Sequence, residues 1–110
     1  MDTRITSFIN KQSNFSLAVC RNNIPYCACC FYVFSEKTKS LIFKSASGTR
    51  HIREASENRF IAGTVCPDKL RHTRIQGIQF QGTLSRAEGK ELTRAKQLYY
   101  LKHPLGLAVP

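Results

Sequence analysis

The period of the hydrophobic pattern changes along this chain, and each change marks a predicted helix or strand. Ile5, Phe8 and Ile9 recur at helical spacing, whereas Ile78 and Phe80 alternate with glutamines at the period of a strand. The pattern predicts, in order, a helix over 3–12, strands over 15–20, 26–34 and 41–43, a helix over 49–57, strands over 60–66 and 73–84, and a helix over 85–102.

The run Tyr26–Phe34 gives the strongest strand prediction, because all of its residues are apolar or aromatic. Such a run needs cover on both faces, which a small domain provides by placing one face inside a barrel and a helix or second subunit outside. In the preceding segment, Asn22 and Asn23 tolerate positive φ, and Pro25 can start a strand without its N–H. The runs on either side of this turn are therefore predicted to form a hairpin.

Hairpin-linked strands with few helices predict a mainly β, α+β fold, in which an antiparallel sheet closes into a small split barrel with short flanking helices. The last helix is predicted to begin in the capping box Ser85-Arg86-Ala87-Glu88. The 110 residues suffice for a single core, so one domain is predicted over residues 1–110. Because five strands are few for closure, the barrel is predicted to be incomplete.

The chain is strongly basic, with 17 Lys and Arg against 7 Asp and Glu and a net charge of +10. This balance favours a polyanionic or phosphorylated partner, or simply a basic surface. The basic residues are spread along the chain apart from one cluster, Lys69, Arg71, His72 and Arg74. The aromatic side chains of the 26–34 run are predicted to be core rather than a platform for stacked bases. Nucleic acid is therefore disfavoured as a partner, and a non-enzymatic binding module for nucleic acid or another polyanion remains the alternative.

The sequence does not support membrane insertion or secretion. No apolar run approaches the ~20 residues of a membrane span, and the first residues lack the apolar core of a signal peptide. The five cysteines are an odd number, which is typical of a reduced protein rather than of a disulfide framework. A cytoplasmic location is expected.

The segment Cys27-Ala28-Cys29-Cys30 is a candidate metal-binding motif. On a strand, Cys27 and Cys29 share a face and Cys30 points away, so the four ligands that zinc prefers do not converge. We therefore predict core cysteines and no metal site. Glu54 and Glu57 lie three apart on a helix, as on a solvated face, and no histidine has a nearby nucleophile with an orienting carboxylate. No catalytic residue is predicted.

The segment 44–55 carries the candidate binding chemistry. It leads from an apolar run through small residues into a predicted helix that Ser47 or Thr49 can cap. Arg50 and His51 add side-chain donors to a helix N-terminus, which already favours anions. A phosphate site fits this pattern, and so does an ordinary capped helix with two basic residues on its solvated side.

Four sequence blocks occur in a recognisable order over nearly the whole chain. They are Cys27–Phe34, Thr49-Arg50-His51, Ala62-Gly63-Thr64-Val65 and Gly77–Gly82. Together they resemble the FMN-binding split barrel of the pyridoxamine 5'-phosphate oxidase superfamily, and in particular its small bacterial YhbP-type branch. The resemblance implies a six-stranded antiparallel barrel and a homodimer that binds FMN across its interface.

The resemblance also implies a set of site residues. The Ser-Arg-Lys triplet that grips the FMN phosphate in the oxidases falls on Thr49, Arg50 and His51, and Ser45 is expected to hydrogen-bond nearby. Thr49 keeps the hydroxyl, Arg50 keeps the bidentate donor, and His51 is a pH-dependent substitute for lysine. The strand 26–34 is expected to form part of the wall beside the flavin ring. Redox chemistry on a small-molecule substrate would then be carried by the flavin.

The chain departs from the oxidases at two points. Two charged phosphate ligands of the oxidases fall on Cys29 and Phe34, and the residues that bind the substrate phosphate have no counterpart. Pyridoxamine-phosphate oxidation is therefore not expected, and a different small molecule is expected as the redox substrate. Relatives continue past the last helix, so this chain is expected to lack the last barrel strands of the family.

Overall fold

The structure is a computed structural model that describes residues 1–69 and 76–108. The helices and strands follow the predicted order, with a short 3-10 helix added at the end. They are α1 Thr3–Lys11, β1 Asn14–Arg21, β2 Ile24–Ser35, β3 Ser40–Phe43, α2 Arg50–Glu57, β4 Phe60–Val65, β5 Ile78–Thr83, α3 Gly89–Lys102 and the 3-10 helix Pro104–Ala108. The first residues of the predicted strand 73–84 lie outside the described residues.

The five described strands form one antiparallel sheet in the order β3-β2-β1-β4-β5, curled into a half-barrel. β1 and β2 pair along the whole of β1 through a two-residue turn. Asn22 and Asn23 occupy this turn with φ values of 52° and 63°, which asparagine tolerates better than most residues. The α+β split-barrel prediction and the predicted hairpin are both confirmed.

The concave face of the sheet carries the hydrophobic core. Helix α2 packs against β1 and places Ala55 in this core, while α1 contributes Ile9. The buried apolar side chains are Ile9, Phe15, Leu17, Val19, Cys30, Tyr32, Phe34, Ala55 and Val65. Alternate residues of β1 and β2 supply most of this set, as the period of a strand requires.

Tyr32 ties the flanking helices to the sheet. Its hydroxyl donates to the main-chain carbonyl of Ile9 in α1, and its own carbonyl accepts from Nε2 of His103, 2.7 Å away. The Lys102 ammonium group lies 4.4 Å from the centre of the Tyr32 ring and donates to the Gln12 carbonyl. Burial lowers the pKa of Lys102. These bonds hold α1 and α3 against the same strand.

The predicted capping box at the start of α3 is wrong. The helix begins at Gly89, and its N-cap residue Glu88 makes no side-chain capping bond. The chain leaves β5 in an extended form because the Leu84 N–H donates to the Arg59 carbonyl, which continues the ladder between β4 and β5. Ser85 therefore precedes the helix by several residues and cannot cap it.

The prediction that both faces of the 26–34 run are covered is confirmed for the core face; for the outward face, cover by a second subunit stays a prediction. Cys30, Tyr32 and Phe34 are buried in the core. Cys27 and Cys29 point to the opposite face and are exposed. Within this chain, no helix of the described ranges packs on that outward face over Cys27 and Cys29.

Candidate functional site

The candidate site forms where the chain passes from β3 into α2. A turn reverses the backbone here, because the Thr49 N–H donates to the Ala46 carbonyl at 3.1 Å. Thr49 is the N-cap residue of α2, as predicted, but its hydroxyl donates to the same carbonyl at 2.9 Å instead of accepting from the helix. The predicted side-chain cap is therefore not made. None of the described hydrogen bonds uses the N–H groups of Arg50, His51 or Ile52, which face outward from the helix start.

The His51 imidazole is the point on which two hydroxyl groups converge. Its Nε2 lies 2.8 Å from Ser45 Oγ and 3.4 Å from Thr49 Oγ1. Ser45 reaches it from the segment after β3, and Thr49 from the N-cap position. Three of the four residues predicted for the phosphate site, Ser45, Thr49 and His51, are thus brought together at the N-terminus of one helix.

Burial sets the charge of this cluster. It lowers the pKa of His51 below the ordinary value of 6.5, so the imidazole is neutral at pH 7. Burial also raises the pKa of the Cys30 thiol, and a hydrogen bond with Ser45 acts in the opposite direction. The cluster is a set of neutral hydrogen-bonding groups at a helix end that favours anions.

Arg50 is directed to other partners. Its Nε lies 2.6 Å from Oε2 of Glu54, one turn along the helix, and its guanidinium group lies 4.1 Å from the centre of the Tyr26 ring. Glu54 is buried, so the prediction of a solvated face for Glu54 is wrong. The packing of α2 against β1 accounts for the difference, since it buries Glu54 together with its neighbour Ala55.

The two positions where the oxidases carry further charged ligands lie on opposite faces of β2. Cys29 is exposed on the outward face, 3.6 Å from Oδ1 of Asn14, and Phe34 is buried in the core. Neither side chain carries charge. Within the described chain, the candidate phosphate residues of the sequence prediction are therefore those of the β3–α2 segment, Ser45, Thr49, Arg50 and His51.

The cysteine prediction is right for one residue and wrong for two of the others. Cys30 is buried as predicted, but Cys27 and Cys29 are exposed because they lie on the outward face of β2. All five cysteines are free thiols. In the described ranges no three His, Cys, Asp or Glu side chains come close enough to hold a metal ion.

The structure bears on the predicted basic cluster and on membrane insertion only for the residues that it describes. Arg71, His72 and Arg74 of the basic cluster lie outside the described residues, and Lys69 is exposed. None of the described helices has both the length and the apolar composition that crossing a membrane requires.

Sequence reasoning missed Glu54, Tyr26 and Cys30 as neighbours of the site. The spacing of Arg50 and Glu54 at i and i+4 was a usable signal, since such pairs meet on a helix surface. The contacts of Tyr26 and Cys30 had no local signal, because they depend on how α2 crosses the sheet.

Comparison with known proteins gives a family and a fold. No family model matches the chain. The UPF0306 protein PM1958 of Pasteurella multocida is 34% identical over 90% of this chain and 66% of that protein. The UPF0306 protein YhbP of Salmonella arizonae is 30% identical over 98% of this chain and 74% of that protein. The chain thus spans just under two thirds of the first relative and about three quarters of the second.

Solved structures with the same fold are more distant in sequence. A heme-binding protein from Mycobacterium smegmatis superposes with a TM-score of 0.81 at 12% identity, over 93% of this chain and 43% of that chain. HutZ, a heme storage protein from Vibrio cholerae, superposes with a TM-score of 0.69 at 14% identity, over 98% of this chain and 75% of that chain. These likenesses establish the shared fold.

Proposed function

This chain belongs to the UPF0306 family, and from that premise we propose that it binds FMN, with the flavin phosphate held at the N-terminus of α2. The observation that carries the proposal is the convergence of Ser45 and Thr49 on His51 at that helix end. The resemblance to the pyridoxamine 5'-phosphate oxidase superfamily supplies the flavin and a homodimeric assembly as parts of the same proposal.

The groups present match the needs of a phosphate monoester. Its oxygens are strong acceptors, and the helix start offers N–H donors that no other described group uses. The Ser45 hydroxyl adds a donor, and His51, which is neutral in the free protein, adds a charge-assisted donor once the approaching phosphate dianion favours its protonation. Arg50 also belongs to the proposed site, but Glu54 already neutralises much of its charge.

Each side chain has a stated role in this proposal. Ser45 orients the phosphate and is itself held by the His51 imidazole, whose Nε2 lies 2.8 Å from its Oγ. Thr49 contributes its hydroxyl after it rotates away from the Ala46 carbonyl. When bound, FMN supplies hydride and one-electron chemistry. Oxidation or reduction of a small-molecule substrate is the proposed activity, and it assigns no proton transfer to these residues.

The direct test is a titration of the purified chain with FMN and with riboflavin, which has the same ring but no phosphate. Flavin fluorescence and visible absorption report binding. We expect FMN to bind and riboflavin to bind at least about tenfold more weakly, because it lacks the charge-assisted contacts. A folded protein that leaves the spectrum of about 50 μM FMN unchanged contradicts the proposal, since any weaker affinity has little functional value.

Single-residue variants test whether the FMN phosphate binds at this helix end. Ser45→Ala removes a donor to the phosphate and is expected to weaken FMN binding by roughly tenfold while leaving riboflavin unaffected. Thr49→Val is expected to have a smaller effect, because the Thr49 hydroxyl is already bonded to Ala46. Ser56→Ala is the matched control, since this exposed serine of α2 donates to Arg53 and not to the cluster. Equal losses for both flavins with Ser45→Ala would place the ring, not the phosphate, at this helix end.

Heme is the second candidate ligand. Two proteins that share the fold are a heme-binding and a heme storage protein. Addition of hemin to the same preparation tests it, with a Soret band at one heme per chain as the supporting result. Competition with FMN then shows whether the two ligands share a site. The Ser45→Ala variant separates them, because hemin has no phosphate for Ser45 to hold.

The charge of +10 supports a third reading, the binding module for nucleic acid or another polyanion. Its signature is an affinity that falls steeply with salt concentration. Charge reversal at Lys69, Arg71 and Arg74 should abolish such binding and leave FMN affinity unchanged. The same variant therefore separates the polyanion hypothesis from the flavin hypothesis.

A further inference from the structure

Cys27 and Cys29 are free, exposed thiols on the outward face of β2. Residues two apart on a strand share a face, so these two side chains are neighbours, while Ala28 between them points to the other side. The register places Cys27 opposite Ala18 and Cys29 opposite Ser16 of β1. Free cysteine is among the most buried residue types, so two exposed thiols side by side need an explanation.

The surface around the two thiols lacks the positive charge that the rest of the chain carries. Seventeen Lys and Arg residues occur in the sequence, yet Arg21 is the only charged residue in the five described strands, and it pairs with Glu57 of α2. Cys27 lines a groove of about 700 Å³ whose other lining residues, among them Ser16 and Gln79, are all uncharged. A small cation can therefore approach the thiols without facing a charged side chain of the strands.

The spacing of the two thiols suits a bridging ion better than a disulfide. Two residues of a strand advance by about 6.7 Å, and the Cβ atoms of Cys27 and Cys29 are separated by a similar distance. A disulfide needs Cβ atoms about 3.8 Å apart, so this pair could form one only if the strand bent. Two sulfur atoms that each lie about 2.3 Å from one metal ion are at most about 4.6 Å apart. Both side chains reach that separation by leaning toward one another in staggered rotamers.

The number of thiols decides which class of ion fits. Zinc prefers four ligands, and in the part of the chain that the structure describes no three His, Cys, Asp or Glu side chains come close enough to share an ion. Cys20 lies on the same face but opposite Pro25, a diagonal step away from Cys27. Soft thiolate ligands select copper(I), and this closed-shell ion accepts two thiolates in a linear arrangement.

We propose that Cys27 and Cys29 form a two-coordinate site for a soft monovalent cation of the copper(I) class. On binding, each thiol releases its proton to solvent, so one ion replaces two protons and the copper keeps its oxidation state. The resulting bis-thiolate unit carries one negative charge, which a chain of net charge +10 favours. Oδ1 of Asn14 lies 3.6 Å from Cys29 Sγ, so a turned Asn14 amide can donate to the thiolate. The Ser16 hydroxyl can donate from the neighbouring strand.

The direct test is an anaerobic titration of the fully reduced protein with Cu(I) in the presence of a chromogenic Cu(I) chelator. We expect the wild type to withdraw one Cu(I) per chain from the chelator. Cys27→Ser and Cys29→Ser are each expected to lower the affinity at least about a hundredfold, because the ion is then left with a single thiolate. Circular dichroism confirms that the variants are folded.

Two further thiols provide matched controls. Cys20→Ser removes a thiol from the same face of the sheet, and Cys66→Ser removes an exposed thiol beyond the end of β4. Both variants are expected to bind Cu(I) as the wild type does. Bound Cu(I) should also slow alkylation of Cys27 and Cys29 by iodoacetamide and leave the rate at Cys66 unchanged, as measured by peptide mass spectrometry. Zn(II) at the same concentration should not displace Cu(I), because it prefers four ligands.

Three results overturn the inference. One is a wild-type protein that withdraws no Cu(I) from the chelator. Another is a loss in Cys20→Ser or Cys66→Ser as large as that in Cys27→Ser, which would place the ion on other thiols. The third is displacement of Cu(I) by an equal concentration of Zn(II), which would show a site with more ligands. If the Cys27→Ser and Cys29→Ser variants do not fold, alkylation of the wild type with and without Cu(I) decides alone. FMN is absent throughout, so failure here leaves the flavin proposal standing.

Discussion

The Arg50 guanidinium group is held by Glu54, with Nε 2.6 Å from Oε2 of a buried carboxylate. The arginine that the sequence assigns to a phosphate therefore already has an anionic partner. The cation–π contact with Tyr26 fixes the same group from its other face. This arrangement lowers the positive potential at the start of α2 and makes the neutral donors of Ser45 and His51 more important.

Replacing Glu54 is therefore expected to strengthen FMN binding. Glu54→Gln keeps the shape and an acceptor for Arg50 but removes the negative charge, so that more of the Arg50 charge acts on the phosphate. We expect an affinity increase of roughly three- to tenfold, measured by quenching of flavin fluorescence. Glu57→Gln is the matched control, because it removes one charge from the same helix at a residue that pairs with Arg21. Equal gains in both variants would indicate a long-range charge effect instead.

The pH dependence of FMN affinity is expected to report His51. Burial lowers the pKa of this imidazole, so it is neutral at pH 7 and gains a proton only as the pH falls or as a phosphate dianion approaches. Affinity should therefore rise by roughly three- to tenfold from about pH 8 to about pH 6.5, where the phosphate is still largely dianionic. The His51→Gln variant should show a flat profile over this range. A flat wild-type profile would exclude His51 from the phosphate site.

Local chemistry accounts for what the sequence predicted, and packing accounts for what it missed. The turn at Asn22 and Asn23 was predictable because positive φ is a local property of asparagine. The opposite directions of Cys29 and Cys30 followed from strand geometry alone. Whether an outward thiol is exposed depends on what covers the sheet, and a strand sequence does not contain that information.

The candidate site also has features that local sequence predicts and features that depend on packing. The position of Thr49 at the start of α2 follows from the small-residue turn before it. The burial of Glu54 follows from the packing of α2 against β1. That packing depends on side chains distant in sequence, which is why Glu54 was predicted as solvated. The start of α3 was mispredicted because a ladder bond from Leu84 competes with the local capping signal.

Two glycines of the sheet are expected to differ sharply in their tolerance of a methyl group. A Cβ at Gly63 would lie 2.3 Å from Cζ of Phe80 and 2.6 Å from the Ser16 carbonyl oxygen, which is backbone and cannot give way. We expect Gly63→Ala to lower the free energy of unfolding by about 2 kcal/mol or more. A Cβ at Gly82 meets nothing closer than 4.0 Å, so Gly82→Ala should change the free energy of unfolding by less than about 0.5 kcal/mol. Urea denaturation of both variants makes the comparison, and similar losses would contradict it.

Tyr32 is expected to make the fold sensitive to alkaline pH. Its side chain is fully buried, and burial raises the pKa of Tyr32 to about 12, above the ordinary value of 10. In the unfolded chain the phenol loses its proton near pH 10, whereas the folded chain retains it. The stabilisation that Tyr32 gives is therefore complete below pH 10 and is lost as the pH rises toward 12, by roughly 2–3 kcal/mol at most.

The measurement compares the wild type with Tyr32→Phe. The variant loses the hydrogen bond to the Ile9 carbonyl and is expected to be about 1 kcal/mol less stable at pH 8. Between about pH 8 and pH 11, the difference in free energy of unfolding between the wild type and Tyr32→Phe should narrow and then reverse. The reason is that the Tyr32 phenol ionises more readily in the unfolded wild type than in the folded one, whereas phenylalanine has no proton to lose. Absorbance at the tyrosinate band should also lose its last, most alkaline transition in the variant. A gap that stays constant with pH would show that Tyr32 ionises normally in the folded protein.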